Sequence, residues 1–163
     1  KQVMSLDKPA SSCRDASALR FAVVAARYNE SLSERLLSTV LGRLDEAGAQ
    51  DENIVVERVP GSHEVPAGLA LLSNGGDFDC LIGLGVVIQG DTSHHKLVGE
   101  SAAFGLQGIA LASGLPAING IVVVDDAEQA ASRVGSEIDR GTEFADAAIT
   151  MGNLSNKWKT RSQ

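Results

Sequence analysis

The chain lacks the sequence features that mark several large classes of protein. It has only two cysteines, Cys13 in a polar leader and Cys80 at the start of an apolar run, and their spacing is not that of a metal or redox motif. No apolar stretch approaches the roughly 20 residues that cross a bilayer, and residues 1–17 have no apolar core like that of a signal peptide. We therefore expect two unrelated thiols in a cytoplasmic protein without a membrane partner.

Positive charge is also scarce. The 163 residues include 14 Lys and Arg against 21 Asp and Glu, a formal net charge of −7, and no run is rich in Lys or Arg. Nucleic acids and anionic membranes bind proteins through a basic patch, so we expect a small soluble ligand instead. Aromatic residues make up 4% of the chain and apolar residues 44%, which indicates an aliphatic core in a single domain.

Four short apolar runs alternate with helical patterns along the chain. The runs at 21–26 and 80–88 are continuous, as in parallel strands covered on both faces, and the other two lie at 54–59 and 118–124. Helical patterns occupy 31–47, a stretch that opens near Pro66, and 93–113, 127–134 and 142–154. The alternation predicts an α/β fold, a three-layer α/β/α sandwich of the flavodoxin-like type around a parallel four-stranded core sheet.

Polar residues set the predicted boundaries and helix ends. We divide the chain into a flexible N-terminal arm at 1–19, a single domain at 20–157 and a C-terminal tail at 158–163. The predicted N-caps are Ser31 or Ser33 for the first helix, Asp91 or Thr92 for the third and the Asp125-Asp126 pair for the fourth. A four-stranded sheet is narrow, and its open edges favour self-association.

Three polar clusters concentrate chemistry, and each follows an apolar run and precedes a helical pattern. They are 27–30 (RYNE), 60–66 (PGSHEVP) and 90–95 (GDTSHH), and the last two hold all three histidines of the chain. Strand-to-helix turns gather at the carboxyl edge of a parallel sheet, where ligands bind. The sequence therefore predicts a ligand site at this edge.

The cluster at 90–95 holds the sharpest chemistry. Gly90 permits a tight turn, and a helix that begins beside Asp91 or Thr92 presents free N–H groups and the positive end of its dipole, which suit a phosphate. His94 falls within the first helical turn, and an imidazole suits general acid–base catalysis near neutral pH. The structural alternative is a surface histidine behind an ordinary helix cap.

Other candidate residues carry structural alternatives of their own. The Glu64 carboxylate could accept hydrogen bonds from a polyol or an amine, or pair with a neighbouring base. Tyr28, the only tyrosine, could stack on a planar heterocycle or cover the end of the sheet. Arg133 could hold a phosphate with its guanidinium or lie solvated on its helix.

In order and spacing, these segments resemble the 6,7-dimethyl-8-ribityllumazine synthase family of riboflavin biosynthesis. The similar segments are AARYN at 25–29, VPGSHEVP at 59–66, GVVIQGDTSHHKLV at 85–98 and EQAASRVG at 128–135. The resemblance implies condensation of 5-amino-6-ribitylaminouracil with 3,4-dihydroxy-2-butanone 4-phosphate to dimethylribityllumazine, phosphate and water, without a metal or redox cofactor. It also implies active sites between adjacent subunits of a pentamer, larger shells of pentamers in some members, and an N-terminal arm that pairs with a neighbouring sheet.

The resemblance implies roles for residues of the first two turns and the third strand. Tyr28 would stack on the pyrimidine ring, and the ribityl chain and nearby backbone would contact Asn29, Ser62 and Glu64. The backbone at Val87 and Ile88 would hydrogen-bond to the pyrimidinedione.

The third turn and a later helix would hold the phosphate. Gly90, Asp91 and Thr92 match the family's phosphate-binding turn, and Arg133 matches an arginine that reaches this phosphate from the neighbouring subunit. His94 matches the histidine that moves protons during imine formation and phosphate loss.

Several positions depart from the family pattern. His63 stands where many members have an aromatic or other bulky residue, and Asn119 where many have Phe, so we expect both to make the substrate pocket wall more polar. Glu137 and Arg140 occupy a stretch where Lys is common, and we assign Glu137 no role. We interpret His95, where Tyr or Phe is frequent, as a packing or rim residue.

Two other classes of function remain open at the level of sequence. The first is a metal-dependent hydrolase that uses His63, Glu64, His94 and His95, although adjacent helical residues point about 100° apart, which makes joint ligation by the last two awkward. The second is a non-catalytic relative that binds flavin or lumazine, or builds a shell, and the departures just described motivate it. The sequence does not favour nucleotide binding, because no G-x-G-x-x-G motif or P-loop lysine follows a predicted strand.

Overall fold

The computed structural model of the protein describes residues 15–159, in which strands and helices alternate up to a final pair of helices. The strands are β1 (Phe21–Ala26), β2 (Ile54–Val59), β3 (Cys80–Ile88) and β4 (Ala117–Val124). The helices are α1 (Glu30–Glu46), α2 (Val65–Gly75), α3 (His94–Ser113), α4 (Ala127–Val134) and α5 (Arg140–Lys159). The predicted alternation is confirmed, and α5 is longer at both ends than the predicted helix at 142–154.

The four strands pair in parallel in the order β2-β1-β3-β4. Their register brings Ala26 of β1 beside Val59 of β2 and Ile88 of β3 beside Val124 of β4. Because parallel strands end at the same edge of a sheet, the turns after β1, β2 and β3 leave the sheet on one side. The predicted flavodoxin-like sheet is confirmed.

Helices cover both faces of the sheet, so the side chains of β1 alternate between two cores. Phe21 and every second residue after it pack in one core with residues of α1, α4 and α5. The β1 residues between them pack in the other core with residues of α2 and α3. Every β1 residue is fully buried, as expected of a strand covered on both faces. This arrangement is the predicted three-layer sandwich.

The start of α1 differs from the sequence prediction. The helix begins at Glu30, and its N-cap is Asn29 in the left-handed region, with φ 54°, instead of Ser31 or Ser33. Ser33 is buried, and its hydroxyl donates a hydrogen bond to the Tyr28 carbonyl at 2.8 Å. Ser33 therefore makes a hydrogen bond within the folded domain instead of capping the helix.

The starts of α3 and α4 also test predicted caps. The N-cap of α3 is Ser93 instead of the predicted Asp91 or Thr92, and its side chain makes no capping hydrogen bond. The predicted cap of α4 is confirmed, because the Asp126 carboxylate accepts a hydrogen bond from the Gln129 N–H at 2.7 Å.

The residues just before β1 pack against the domain. Ala16 and Leu19 are buried in the same core as Phe21, and the Asn153 side-chain amide donates to the Asp15 carbonyl at 3.1 Å. Most of the predicted arm and tail lies outside the described residues, so the boundaries after residues 19 and 157 stay predictions. Between residues 15 and 159, no helix is long and apolar enough to cross a membrane.

Cys80 provides a test of the packing around β3. It is fully buried, and burial raises the pKa of its thiol to about 12. In a Cys13→Ser background at pH 8, we expect Ellman's reagent to modify native protein at least about 100-fold more slowly than protein unfolded in guanidinium, because the thiolate is the reacting species. A native rate within about threefold of the unfolded rate would contradict this burial.

Candidate active site

The turns that follow β1, β2 and β3 meet around one cavity of about 440 Å³ at the carboxyl edge of the sheet. Most of the site residues predicted from the sequence line it, namely Tyr28, Asn29, Ser62, His63, Glu64, Val87, Ile88, Gly90, Thr92 and His94. The lining also includes Gly61, Val86 and Val98, which the sequence analysis did not assign to a site, and His95, which it interpreted as a packing or rim residue. The three polar clusters therefore converge on a single cavity.

Asn29 fixes the turn after β1. Its left-handed backbone, with φ 54°, is a conformation that Asn tolerates better than most residues that have a side chain. Its side-chain amide donates to the Val86 carbonyl of β3 at 2.8 Å, and the Tyr28 N–H donates to the Pro60 carbonyl at 3.2 Å. The first turn is thus tied to the third strand and to the second turn. The Tyr28 side chain is 74% exposed, which leaves its ring accessible to a ligand.

The second turn places Ser62 and Glu64 in the 3-10 helix Ser62–Glu64, directly before α2. Ser62 is 4% exposed, and a Cβ atom at Gly85 of β3 would lie 2.3 Å from its Oγ. Glycine at position 85 therefore leaves the space that this hydroxyl occupies. Within residues 15–159 the Ser62 Oγ has no hydrogen-bond partner, which is unusual for a buried polar atom. Glu64 Oε2 accepts a hydrogen bond from the Gly61 N–H at 3.0 Å.

The third turn presents backbone N–H groups at the start of α3. The His94 N–H is 3.4 Å from Thr92 Oγ1, a long hydrogen bond. In the described part of the chain, the N–H groups of Ser93 and His95 have no backbone acceptor. Free N–H groups at a helix N-terminus favour the binding of an anion. His94, the first residue of α3, lies in the first helical turn as predicted and lines the cavity.

The three histidines have different surroundings. His63 Nδ1 lies 3.2 Å from the Ser101 hydroxyl of α3, a contact across 38 positions of sequence that no motif signalled. His95 is 7% exposed, and its Nδ1 lies 3.2 Å from the Thr92 carbonyl. Among residues 15–159, no group of three or more His, Cys, Asp or Glu side chains is arranged to hold a metal ion. Nothing in this geometry favours the metal-dependent alternative.

Three residues that the sequence analysis assigned to the site do not line this cavity, namely Asp91, Asn119 and Arg133. Asn119 is exposed on the edge strand β4, and its side-chain oxygen accepts a hydrogen bond from the Ile121 N–H at 3.1 Å. Arg133 lines a separate cavity of about 520 Å³, formed mainly by α4 and the residues after it. Within one chain, the arginine expected to bind phosphate is therefore apart from the other site residues.

Fold and site together define a class of protein, a flavodoxin-like α/β protein with a ligand cavity between strand-to-helix turns at the carboxyl edge of its sheet. A family model described as 6,7-dimethyl-8-ribityllumazine synthase matches residues 18–156. This match covers nearly all of the described chain. The protein belongs to the 6,7-dimethyl-8-ribityllumazine synthase family.

Similar proteins from several organisms carry the name 6,7-dimethyl-8-ribityllumazine synthase. One from Desulfatibacillum aliphaticivorans is 40% identical over 141 residues, which are 86% of this chain and 91% of the relative. One from Cupriavidus pinatubonensis is 37% identical over 140 residues, 86% and 82% of the two chains. One from Thermococcus kodakarensis is 35% identical over 143 residues, 88% and 90% of the two chains. These matches confirm the resemblance drawn from the motifs, and the chain is an enzyme of this family.

Substitution of Asn29 separates its two contributions to the first turn. Asn29→Ala loses the hydrogen bond to Val86 and strains the left-handed backbone, whereas Asn29→Gly loses only the hydrogen bond. We expect the free energy of unfolding, measured by urea denaturation at one fixed protein concentration, to fall by about 2 kcal/mol for Ala and about 1 kcal/mol for Gly. Equal losses would mean that the left-handed conformation of residue 29 is not required.

Proposed function

We propose that the cavity at the carboxyl edge is where 5-amino-6-ribitylaminouracil and 3,4-dihydroxy-2-butanone 4-phosphate condense to 6,7-dimethyl-8-ribityllumazine, phosphate and water. The observation that carries this proposal is the convergence of three turns on one cavity, with Tyr28, Glu64 and His94 in its wall. Membership of the family indicates which reaction the protein catalyses, and the convergence of the turns indicates where on the protein it takes place. The cytoplasmic location expected from the sequence is part of this proposal.

The pyrimidine end of the site is formed by Tyr28 and the end of β3. β1 pairs with β3 only as far as Leu84, although β3 continues to Ile88. The N–H and carbonyl of Ile88 face the β1 side beyond the end of β1, as the Val86 carbonyl does, and are available to the pyrimidinedione. Those of Val87 face β4, as does the Gln89 N–H that donates to the Val124 carbonyl. The exposed Tyr28 ring stacks on the pyrimidine face, a contact that suits an accessible aromatic side chain.

The ribityl chain binds at the second turn in this proposal. Its hydroxyl groups need both donors and acceptors, and Ser62 and Glu64 lie in the wall of this part of the cavity. The Glu64 carboxylate has one oxygen on the Gly61 N–H and a second oxygen to accept a polyol hydroxyl. Asn29 and His63 complete this part of the wall.

The phosphate of the second substrate binds at the third turn in this proposal. Gly90, Asp91 and Thr92 form the turn, and the N–H groups at the start of α3 point outward without backbone acceptors in the described chain. The positive end of the helix dipole adds to their attraction for an anion. Phosphate placed here lies beside His94, which lines the same cavity.

The chemistry needs placement and proton transfer. The amine of the pyrimidine adds to the ketone, water leaves to give an imine, and elimination then expels the phosphate. The ribitylamino nitrogen attacks the remaining carbonyl, and loss of a second water closes the lumazine ring. No step passes electrons to an external acceptor. Holding both substrates in one cavity lowers the entropic part of the barrier, and His94 supplies and removes protons as general acid and base.

Arg133 and Asn119 act from a second copy of the chain in this proposal, because neither lines the cavity within its own chain. An apolar stripe on α3 supports self-association. Leu97, Phe104 and Leu111 are 63%, 78% and 76% exposed, and their spacing of seven residues puts them on one face of the helix. Exposed apolar surface of this kind is typical of an interface. The family resemblance points to a pentamer or multiples of pentamers.

A steady-state assay with both substrates tests the reaction. The enzyme should form lumazine above the uncatalysed rate, with saturation in each substrate, and His94→Ala should lower kcat by about 10²- to 10⁴-fold because it removes the general acid–base group. Gel filtration of the variant controls for assembly. Product formation by wild type with an unchanged kcat in His94→Ala would remove the proton-transfer role from His94. Tight flavin binding by a wild type that makes no product would favour the non-catalytic alternative.

Substitution in the apolar stripe tests the assembly. Phe104→Asp places a charge on the most exposed member of the stripe, so we expect native mass spectrometry to show smaller species than the wild-type oligomer. Ser38→Asp on α1, at an exposed polar residue, is the control and should leave the oligomer intact. A monomeric wild-type protein, or equal effects of the two substitutions, would contradict a role for the stripe.

A further inference from the structure

His95 is a polar side chain that the proposed reaction does not use. It is 7% exposed, and its Nδ1 lies 3.2 Å from the Thr92 carbonyl oxygen. Because a carbonyl oxygen can only accept a hydrogen bond, Nδ1 carries the hydrogen and donates it. Within residues 15–159 no backbone N–H donates to this carbonyl. The imidazole is therefore its hydrogen-bond partner in the described chain.

This hydrogen bond sets the orientation of the peptide that joins Thr92 to Ser93. In a trans peptide, the carbonyl and the following N–H point in opposite directions. A carbonyl held toward His95 therefore directs the Ser93 N–H away from His95. That N–H has no backbone acceptor in the part of the chain that the structure describes, so it remains a donor for a ligand.

Other restraints on the peptide that joins Thr92 to Ser93 are weak. The Lys96 N–H donates to the Ser93 carbonyl at 3.0 Å, which holds the next peptide. Ser93 makes no side-chain capping bond, and the bond from the His94 N–H to Thr92 Oγ1 is long at 3.4 Å. A Cβ atom at Gly90 would meet no heavy atom within 4 Å, so the turn has open space around it. The bond from the Gln89 N–H to the Val124 carbonyl, 2.9 Å long, holds only the beginning of the turn.

We propose that His95 is a positioning residue for the phosphate subsite. It holds the Thr92 carbonyl and thereby fixes the Ser93 N–H in the direction from which it binds the phosphate of the butanone substrate. This inference rests on the proposed function, and it assigns to His95 more than the packing role that the sequence suggested.

Three substitutions separate the hydrogen bond of His95 from its packing. His95→Asn offers an amide nitrogen near the position of Nδ1, whereas His95→Gln offers one near the position of Nε2. His95→Phe fills the space with a ring that has no donor. Steady-state kinetics give KM for each substrate and the inhibition constant of inorganic phosphate. A ³¹P NMR titration of the same oligomer gives the dissociation constant of inorganic phosphate.

We expect His95→Phe and His95→Gln to raise the inhibition constant and the dissociation constant of inorganic phosphate, and KM for the butanone phosphate, by about 3- to 10-fold. This is the effect expected for the loss of one hydrogen bond. KM for the pyrimidine should change by less than about twofold, and His95→Asn should return all constants to within about twofold of wild type. The split between the two substrates is a readout that loss of packing alone does not produce.

Equal effects of Asn and Gln, or an equal rise in both KM values, would overturn the positioning role. Gel filtration and circular dichroism show whether each variant assembles, and if His95→Phe does not fold, the Asn and Gln pair decides the question. The NMR titration reports phosphate binding even in a variant that turns over slowly. A wild type that binds no phosphate and forms no product would instead overturn the proposed function.

Discussion

Parallel pairing of a short β1 between β2 and a longer β3 is the constraint on which the rest of the structure depends. β1 pairs with β3 only to Leu84, so the last residues of β3 leave a notch at the carboxyl edge. The turn after β1 fills this notch through the bond from Asn29 to the Val86 carbonyl. Gly85 leaves room there for Ser62 from the second turn. The strand lengths thus create the cavity, and the turns supply its chemistry.

Much of the fold could be predicted from the sequence because burial on both faces leaves a simple signal. β1 and β3 are continuous apolar runs, and the first three strands lie at the predicted residues. Helix ends were less predictable, because tertiary contacts decide them. Ser33 donates its hydroxyl hydrogen to the Tyr28 carbonyl instead of capping α1. At the other end of the chain, Lys159 in the last turn of α5 donates to the Phe78 carbonyl. Neither contact leaves a local pattern.

The candidate site could be predicted as far as its residues are contiguous in sequence. Each polar cluster sits in a strand-to-helix turn, and parallel topology brings such turns together without further information. The contact from Ser101 to His63 spans 38 positions, so no local motif reveals it. Only the family resemblance implied that Arg133 acts from a neighbouring subunit. A local sequence pattern in one chain carries no information on the geometry between two copies. In the proposed oligomer, each site would take His94 from one chain and Arg133 from its neighbour.

Mixed oligomers test this claim most directly. His94→Ala and Arg133→Ala chains with different tags are expressed together, and oligomers that carry both tags are assayed at a low concentration of the butanone phosphate. In a ring of heterologous contacts with random order, about one quarter of the sites combine an intact His94 with an intact Arg133 from the neighbour. The account predicts that mixed oligomers recover up to about one quarter of wild-type activity, well above either variant alone. Mixed oligomers no more active than the parent variants would contradict it.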